Sequence, residues 1–341
     1  MNREWKRQGL LNVAARAGVS LSTVDRVLNE RGSVSDSKRR KVLEAARALG
    51  IKRLLPSPIH GLLRFDLILV DSATDHFRRL TTAFSRHTQM LRSRLVLQTH
   101  TWQERQPEQL LELINNPRTP RQGLIVVAHD TPQIRAALQL QLSRGVPVVL
   151  LTTSLSGFEG ARFIGIDNYV AGRCAGRLLS QWLGSTATGR ILLFTNSLLY
   201  HAHTERVRGF LDVLRERAPG VDPGQPIECH DEDTRTRHAV LDVLDQGQEP
   251  LAIYNTGAGS QGIRSALIER GVRPVWITHE ASEQHAQMLQ EGLLSLVIDQ
   301  DPEGQADAAI QYLLHANGDI DIPANIAPQL RIIIDEILAP D

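Results

Sequence analysis

The chain has 341 residues, 42% of them hydrophobic, with 38 Lys+Arg balanced by 38 Asp+Glu and only two cysteines. That length and apolar fraction allow two or three packed units, while no run of about 18 apolar residues offers a membrane span. The first residues lack the apolar core of a secretory signal, and Cys174 and Cys229 are too few for a disulfide framework, so a reduced, cytoplasmic setting is expected.

The neutral total conceals a split. Residues 1–55 carry 13 Lys+Arg and 5 Asp+Glu, net +8, and include every lysine of the chain (Lys6, Lys38, Lys41, Lys52), so the rest carries net −8. A small basic module on an acidic body points to a polyanion met by the module alone.

In chain order, residues 12–29 read as two short helices joined by a tight turn. Val13, Ala14 and Ala17 give the first helix a small apolar face, and Gly18 tolerates the positive φ that ends it. Ser20 stands where an N-cap belongs, and Val24, Val27 and Leu28 form the buried stripe of the second helix. Leu21, Ser22, Asp25 and Arg26 then point outward. That pattern is a helix-turn-helix, whose second helix can lie in a DNA major groove. A generic helical hairpin shares the turn logic but does not account for the basic charge. A third helix is predicted over 36–49, with Ser35 as its N-cap. Pro56 and Pro58 interrupt any regular helix in the stretch that follows. The plan is therefore a headpiece over 1–52, a hinge or linker over 53–63, and a body over 64–341.

In the body, strands are predicted at 65–71, 95–101, 123–128, 146–152, 163–166, 190–195, 227–230, 251–255, 275–278, 296–299 and 330–334. Amphipathic stretches such as 170–183, 205–217 and 262–270 lie between them. Strand-helix alternation gives an α/β fold with parallel sheets. So many strands exceed one compact sheet and favour two lobes with chain crossovers. Ligands in such folds bind beyond the carboxyl ends of the strands, which places a cleft between the lobes. Arg206 is expected at the start of the 205–217 helix. A cation is unfavourable at a helix N-terminus, so it should have a partner, either ligand oxygens or the carboxylate of Glu205 or Asp231.

Residues 12–51 closely resemble the DNA-binding headpiece of the lac repressor/gal repressor family. The match is carried by Val13-Ala14, Ala17-Gly18-Val19-Ser20, Thr23-Val24, Arg26-Val27-Leu28-Asn29, Val34-Ser35, Val42-Leu43-Glu44-Ala45-Ala46 and Leu49-Gly50. Asp25 departs from the serine common there. The resemblance implies that Leu21, Ser22 and Arg26 read bases, and that Thr23, Asn29 and Ser35 position the DNA backbone. It also implies a hinge helix in the dimer that wedges Leu54 or Leu55 into the minor groove. Pro56, Pro58 and Gly61 depart from the usual alanine-rich hinge, and proline chemistry alone gives a plain tether.

The body resembles the type I periplasmic sugar-binding fold that serves as the regulatory part of the same family. Its pieces are Ile166-Asp167-Asn168, Ala171-Gly172, Arg206 with Gly209-Phe210, Tyr254-Asn255 and Asp299-Gln300-Asp301-Pro302. Position by position the resemblance implies a cleft built from Asp75, His76, Phe77, His129, Arg206, Asn255, His279 and Gln300. His129 and His279 stand where aspartate is usual. Carboxylates, amides and an arginine fork suit a polyol, and Phe77 suits a ring face. Asp167 reads better as an N-cap or hinge residue than as a ligand contact.

Gly257-Ala-Gly259-Ser-Gln-Gly262 is a literal dinucleotide fingerprint between a strand and a helix, with Glu280 at roughly the expected offset. An NAD-dependent oxidoreductase is therefore the enzyme alternative. A glycine-rich cleft loop accounts for the motif more simply. Tyr200-His201-Ala202-His203 lacks a third patterned metal ligand, and Ser154 and Ser156 lack a His/Asp partner at a recognisable spacing. The expected function is a sequence-specific DNA-binding transcription regulator, a repressor. It acts as a homodimer on near-palindromic double-stranded operator DNA and is controlled by a sugar or polyol effector. No cofactor, metal, catalytic residue or membrane is expected.

Overall fold

The computed structural model describes residues 3–28, 34–49, 62–92, 94–322 and 327–337. Asn29, Leu54, Leu55 and nearly all of the expected hinge fall outside these residues. The chain opens with three helices, α1 (Arg3–Ala17), α2 (Leu21–Leu28) and α3 (Asp36–Ala48). Gly18 takes φ +64° and ends α1, and the Val19 N–H closes onto the Ala14 carbonyl at 3.1 Å. The Ser20 hydroxyl accepts from the Thr23 N–H at 3.2 Å and caps α2. Val13, Ala14, Ala17, Val24, Val27, Leu28, Val42, Leu43, Ala45 and Ala46 form a core that shares no residue with the rest of the molecule. α1 begins well before residue 12, in a stretch whose polar sequence shows no apolar periodicity.

The first lobe runs β1 (Leu63–Val70), α4 (Asp75–Met90), β2 (Leu95–Trp102), α5 (Pro107–Asn115), β3 (Gly123–Val126), α6 (Pro132–Ser143), β4 (Val148–Leu151) and β5 (Arg162–Ile164). Its sheet is parallel throughout, in the order β2-β1-β3-β4-β5. The central strands are apolar on both faces because helices cover both. Phe65, Leu67 and Leu69 pack to one side, and Ile68 and Val70 to the other.

The chain then crosses to a second lobe through α7 (Asn168–Leu183). There follow β6 (Gly189–Thr195), α8 (His201–Arg217), β7 (Val221–Asp222), β8 (Ile227–Glu228), α9 (Asp233–Asp245), β9 (Ala252–Asn255), α10 (Ser260–Arg270), β10 (Val275–His279), α11 (Glu283–Gln290) and β11 (Leu296–Asp299). α12 (Pro302–Ala316) crosses back, burying Ala306, Ala309, Ile310 and Leu313 against Phe65, Leu80 and Phe84 of the first lobe. β12 (Arg331–Ile333) returns to pair antiparallel with β11. The second sheet runs β12-β11-β10-β9-β6-β7, with β8 also on β6.

Each strand predicted from sequence has its counterpart. β7 was not among them, because a two-residue strand leaves no alternation to read. The fold is α/β and two-lobed, with the helix-turn-helix in front.

α7 and α8 meet through glycines. A Cβ on Gly172 would lie 2.0 Å from the Arg206 carbonyl oxygen, and one on Gly209 would lie 2.2 Å from the Tyr169 carbonyl oxygen. Only hydrogen at both positions lets the two backbones approach this closely, and that approach sets where α8 aims His203 and Arg206.

Candidate functional site

The lobes meet around a cavity of about 70 Å³. Its walls come from loops past the carboxyl ends of strands of both sheets, or from the opening turns of the helices that follow them, as expected for this architecture. The first lobe supplies His76 and Phe77 at the start of α4, Glu104 after β2, and Thr152 and Thr153 after β4. The second supplies Asn196, His203 and Arg206 after β6, Asp231 after β8, Thr256 after β9, Glu280 after β10 and Gln300 after β11. Among the described residues five non-glycine residues have positive φ, and three of them, Thr152 (63°), Asp231 (59°) and Glu280 (75°), line this cavity. Backbone strain of this kind persists where the surroundings over-determine it, commonly at binding sites.

Several contacts hold the lobes together around the cavity. The Tyr200 hydroxyl donates to Glu104 at 2.6 Å. Arg79 reaches from α4 to Asp299 (2.5 Å), Glu303 (2.8 Å) and the Ala281 carbonyl (3.1 Å). His76 bridges Glu280 through Nδ1 at 3.1 Å and the Thr152 hydroxyl through Nε2 at 3.0 Å. Thr152 in turn donates to Gln305 Oε1 at 2.8 Å, and the Gln305 amide nitrogen is held by the Gln300 carbonyl at 2.9 Å. With the Thr152 proton so committed, the Thr152 hydroxyl can only accept from His76 Nε2.

Burial acts to raise the Glu280 pKa. The His76 charge and hydrogen bond, with Arg206 and Gln300 adding, outweigh it and hold the group down at about 2. Asp231 goes the other way. Burial pushes it up to about 6, against hydrogen bonds from the Ala258 N–H and the Asn196 amide, with Glu104 and Glu280 adding repulsion. Burial, with the Arg206 charge adding, lowers His203 to about 3, so it is neutral.

Four of the eight residues expected in the cleft line the cavity: His76, Phe77, Arg206 and Gln300. Arg206 lies in the second turn of α8 rather than at its start, because the helix begins at His201. Neither Glu205 nor Asp231, the acids weighed as alternatives to ligand oxygens, is its hydrogen-bond partner. Nε donates to Asn168 Oδ1 at 2.8 Å and Nη1 to the Thr256 carbonyl at 2.7 Å, while Glu205 pairs with Arg208.

The other four expected residues do not line the cavity. Asp75 pairs with Arg78 on its own helix. His129 packs edge-on between the rings of Trp102 and Tyr200, with centroids at 5.0 and 4.4 Å, and burial lowers its pKa to about 4. Asn255 holds the glycine loop, donating to the Ala258 carbonyl and accepting from the Gly257 N–H. His279 is fully buried, with Nε2 on the Tyr254 hydroxyl at 2.9 Å. For Asn255 and His279 a one-residue step along the chain is the cause, since Thr256 and Glu280 line the cavity in their place.

Glu104, Asn196, His203, Asp231 and Glu280 were missed as site residues. Glu104, Asn196, Asp231 and Glu280 lie one to three positions past a strand end, the one sequence signal that could have found them, while His203 lies in the first turn of α8. Asp167 is the N-cap of α7, accepting from the Val170 N–H at 2.9 Å.

The glycine fingerprint is not built for a pyrophosphate. The Ala258 N–H donates to Asp231 Oδ1 at 2.8 Å and the Gly262 N–H to Asp233 Oδ1 at 3.1 Å, so carboxylates already occupy amides a phosphate would need. Gly262 serves helix packing, since a Cβ there would lie 1.8 Å from the Asp233 carbonyl oxygen. His201 and His203 diverge, to the Ser154 and Thr256 hydroxyls respectively, each at 2.9 Å. Ser154 thus has a histidine partner that sequence spacing did not reveal. Glu205 stands 3.9 Å from the far nitrogen of that ring, beyond hydrogen-bond reach. Among the described residues no group of three or more His, Cys, Asp or Glu is placed to hold a metal ion. No described helix is long and apolar enough to cross a membrane.

On the headpiece, Ser22 and Arg26 are exposed and Asp25 half-buried on the side of α2 away from its buried stripe of Val24, Val27 and Leu28, while Leu21 and Thr23 are half-buried at the edges of that stripe. Ser35 is exposed just ahead of α3, and its carbonyl accepts from the Arg39 N–H at 3.0 Å.

The model of the lacI family of bacterial regulatory proteins matches residues 9–52, and the periplasmic binding protein domain model matches residues 67–319. The chain is similar to the HTH-type transcriptional repressor PurR of Salmonella paratyphi B and of Salmonella newport, at 23% identity over 270 residues, 77% of this chain and 76% of the relative. Its fold is similar to a solute binding protein from Burkholderia graminis in complex with D-arabinose (TM-score 0.73, 14% identity, covering 82% of this chain and 97% of the other). It is also similar to GanP, a glucose-galactose binding protein from Geobacillus stearothermophilus (TM-score 0.71, 20% identity, covering 82% and 99%).

Proposed function

We infer the function from one premise: the chain belongs to the periplasmic binding protein domain family over its body and carries a lacI-family DNA-binding headpiece in front of it. The protein is a DNA-binding transcriptional repressor with a sugar-binding-like effector domain. The observation that carries this reading is the union, in one chain, of a helix-turn-helix with its reading side uncovered and a polar cavity closed between two lobes. The likeness to repressors and to sugar-binding folds supports it.

In the finer reading, two copies pair and set their headpieces on the half-sites of a near-palindromic operator. A sugar-class effector in the cavity shifts the closure of the lobes and, through the hinge, the distance between the headpieces. Half-sites have fixed spacing, so headpieces that no longer match it lose simultaneous contact. Leu21, Ser22 and Arg26 meet bases, and Thr23, Asn29 and Ser35 meet the DNA backbone. His76, Phe77, Arg206 and Gln300 meet the effector, together with Asp231 and Glu280. Cellular DNA as the target makes the cytoplasm the working compartment.

The test is fluorescence anisotropy on a duplex selected from random sequence, across a salt series, with and without a sugar panel. Affinity that falls steeply with salt and changes with one sugar supports the reading. Salt-independent binding, or binding that no sugar alters, refutes it.

A further inference from the structure

The hydrogen-bond polarity of the cavity narrows the effector class, an inference that rests on the reading of the cavity as the effector site. A carboxylate only accepts, so an amide facing one must present its nitrogen. Asn196 Nδ2 donates to Asp231 Oδ2 at 2.5 Å, and Gln300 Nε2 donates to Glu280 Oε1. Both amide oxygens are thereby turned away from their carboxylates, and both are buried without a partner. Asn196 is 5% exposed and Gln300 2%.

His203 adds a third acceptor. Thr256 donates its hydroxyl to Thr195 at 3.0 Å, so His203 Nδ1 must be the donor to Thr256, and the neutral ring keeps Nε2 as a lone pair. Around these stand the carboxylates of Glu104, Asp231 and Glu280. Of the three, only Glu280 is hydrogen-bonded to a basic side chain, that of His76.

On the donor side Arg206 is the only arginine in the wall. Two of its five N–H donors already bond Asn168 and Thr256, and this one guanidinium shares the wall with the three carboxylates of Glu104, Asp231 and Glu280, which repel an anionic ligand.

We propose that the cavity takes a polyol bearing a protonated amine, an amino sugar, in preference to neutral, phosphorylated or acidic sugars. A hydroxyl brings one donor and two lone pairs into a wall that already has acceptors in excess. An ammonium brings three donors and no acceptor, and its charge offsets the unpaired carboxylates of Asp231 and Glu104. The raised pKa of Asp231 agrees with a carboxylate that lacks its counter-ion.

Calorimetric titration of the full-length protein tests this with D-glucosamine, D-galactosamine and D-mannosamine. Each is compared with its parent hexose, its N-acetyl derivative and its 6-phosphate. At least one amine should bind tenfold or more tighter than its parent and its N-acetyl form, and the phosphates should not bind. Asp231→Asn should cut that advantage to threefold or less, and Glu104→Gln provides the same readout should the first variant fold poorly. A parent or N-acetyl sugar that binds as tightly as its amine overturns the inference and leaves the sugar-effector reading standing, as does tight binding of a phosphate. Silence of every amine overturns the inference too. If the whole panel is silent while salt-dependent operator binding is intact, the sugar-effector reading falls with it.

Discussion

The headpiece and the cleft recognise their ligands in opposite ways. The headpiece buries ten small aliphatic residues and works from its outer surface, where Arg26 and Ser22 stand exposed on a module of net +8. The cleft works from inside, with buried side chains drawn from nine loops of two lobes and a surplus of acceptors. A polyanion is met by cations that stay in water until contact. A small donor-rich ligand is met by groups already stripped of water. The two cores share no residue, so the two binding functions should separate cleanly and communicate only through the segment between them.

The largest break of that comparison is removal of residues 1–63. The body keeps its own hydrophobic clusters apart from Leu63 at the head of β1, so it should fold. Operator binding should vanish in anisotropy while effector-induced thermal stabilisation survives unchanged. Retained operator binding would place DNA recognition in the body.

Next in size is Gly172→Ala. The added methyl meets backbone at 2.0 Å, where no side chain can yield, so α7 and α8 must part. A loss of about 3 kcal/mol in unfolding free energy is expected. Effector affinity should fall as His203 and Arg206 move, and operator binding at low temperature should stay intact. Denaturant unfolding against wild type measures the first effect, and titration with effector the second.

The contrast also explains what could be read from the sequence. The headpiece is a local object. Its turn glycine, its cap and its two apolar stripes lie within 20 residues, and Gly18, Ser20 and Val24 take the roles their positions implied. Most strands of the body were legible for the same reason, since β1, β3, β4, β6 and β9 to β11 are short, mainly apolar runs. The cleft is non-local. Whether His279 or its neighbour Glu280 faces the ligand depends on where β10 ends and on a left-handed backbone at residue 280. No propensity announces that. The role of Arg206 was half legible. Its place in the cavity followed from the strand before it, but Asn168 and Thr256 lie 38 and 50 residues away.

A smaller effect sharpens the headpiece side. Arg26→Ala should cost about 1–3 kcal/mol at one base pair and relax preference there. Lys38→Ala, on the exposed side of α3, should weaken all sequences alike and lower the salt slope by about one. Binding to a set of single-base operator variants distinguishes the two. Equal losses across the set for both would remove Arg26 from base reading.

The smallest effect tests the cleft through its charge. Asp231 has an ordinary pKa of 3.8 and stands near 6 in the folded protein, mainly through burial, with Glu104 from the first lobe and Glu280 from the second adding repulsion. Arg206 and the neutral His203 on α8 share the cavity. Because the folded state holds this proton more tightly than the unfolded chain does, the contribution to stability is fully present below about pH 4 and is lost as pH rises through 6. At pH 7.5 the ionised carboxylate is a net cost. Asp231→Asn removes that charge while keeping an oxygen for the Ala258 N–H. The variant should therefore melt higher than wild type at pH 7.5, by about 1 kcal/mol in stability, and no higher at pH 4. D-glucosamine or another amine that binds should reverse the order at pH 7.5, because it supplies the missing counter-ion to wild type alone. A variant that is less stable at both pH values would mean that the hydrogen bonds accepted by Asp231 outweigh its burial, and the carboxylate would then belong to the scaffold of the glycine loop rather than to effector recognition.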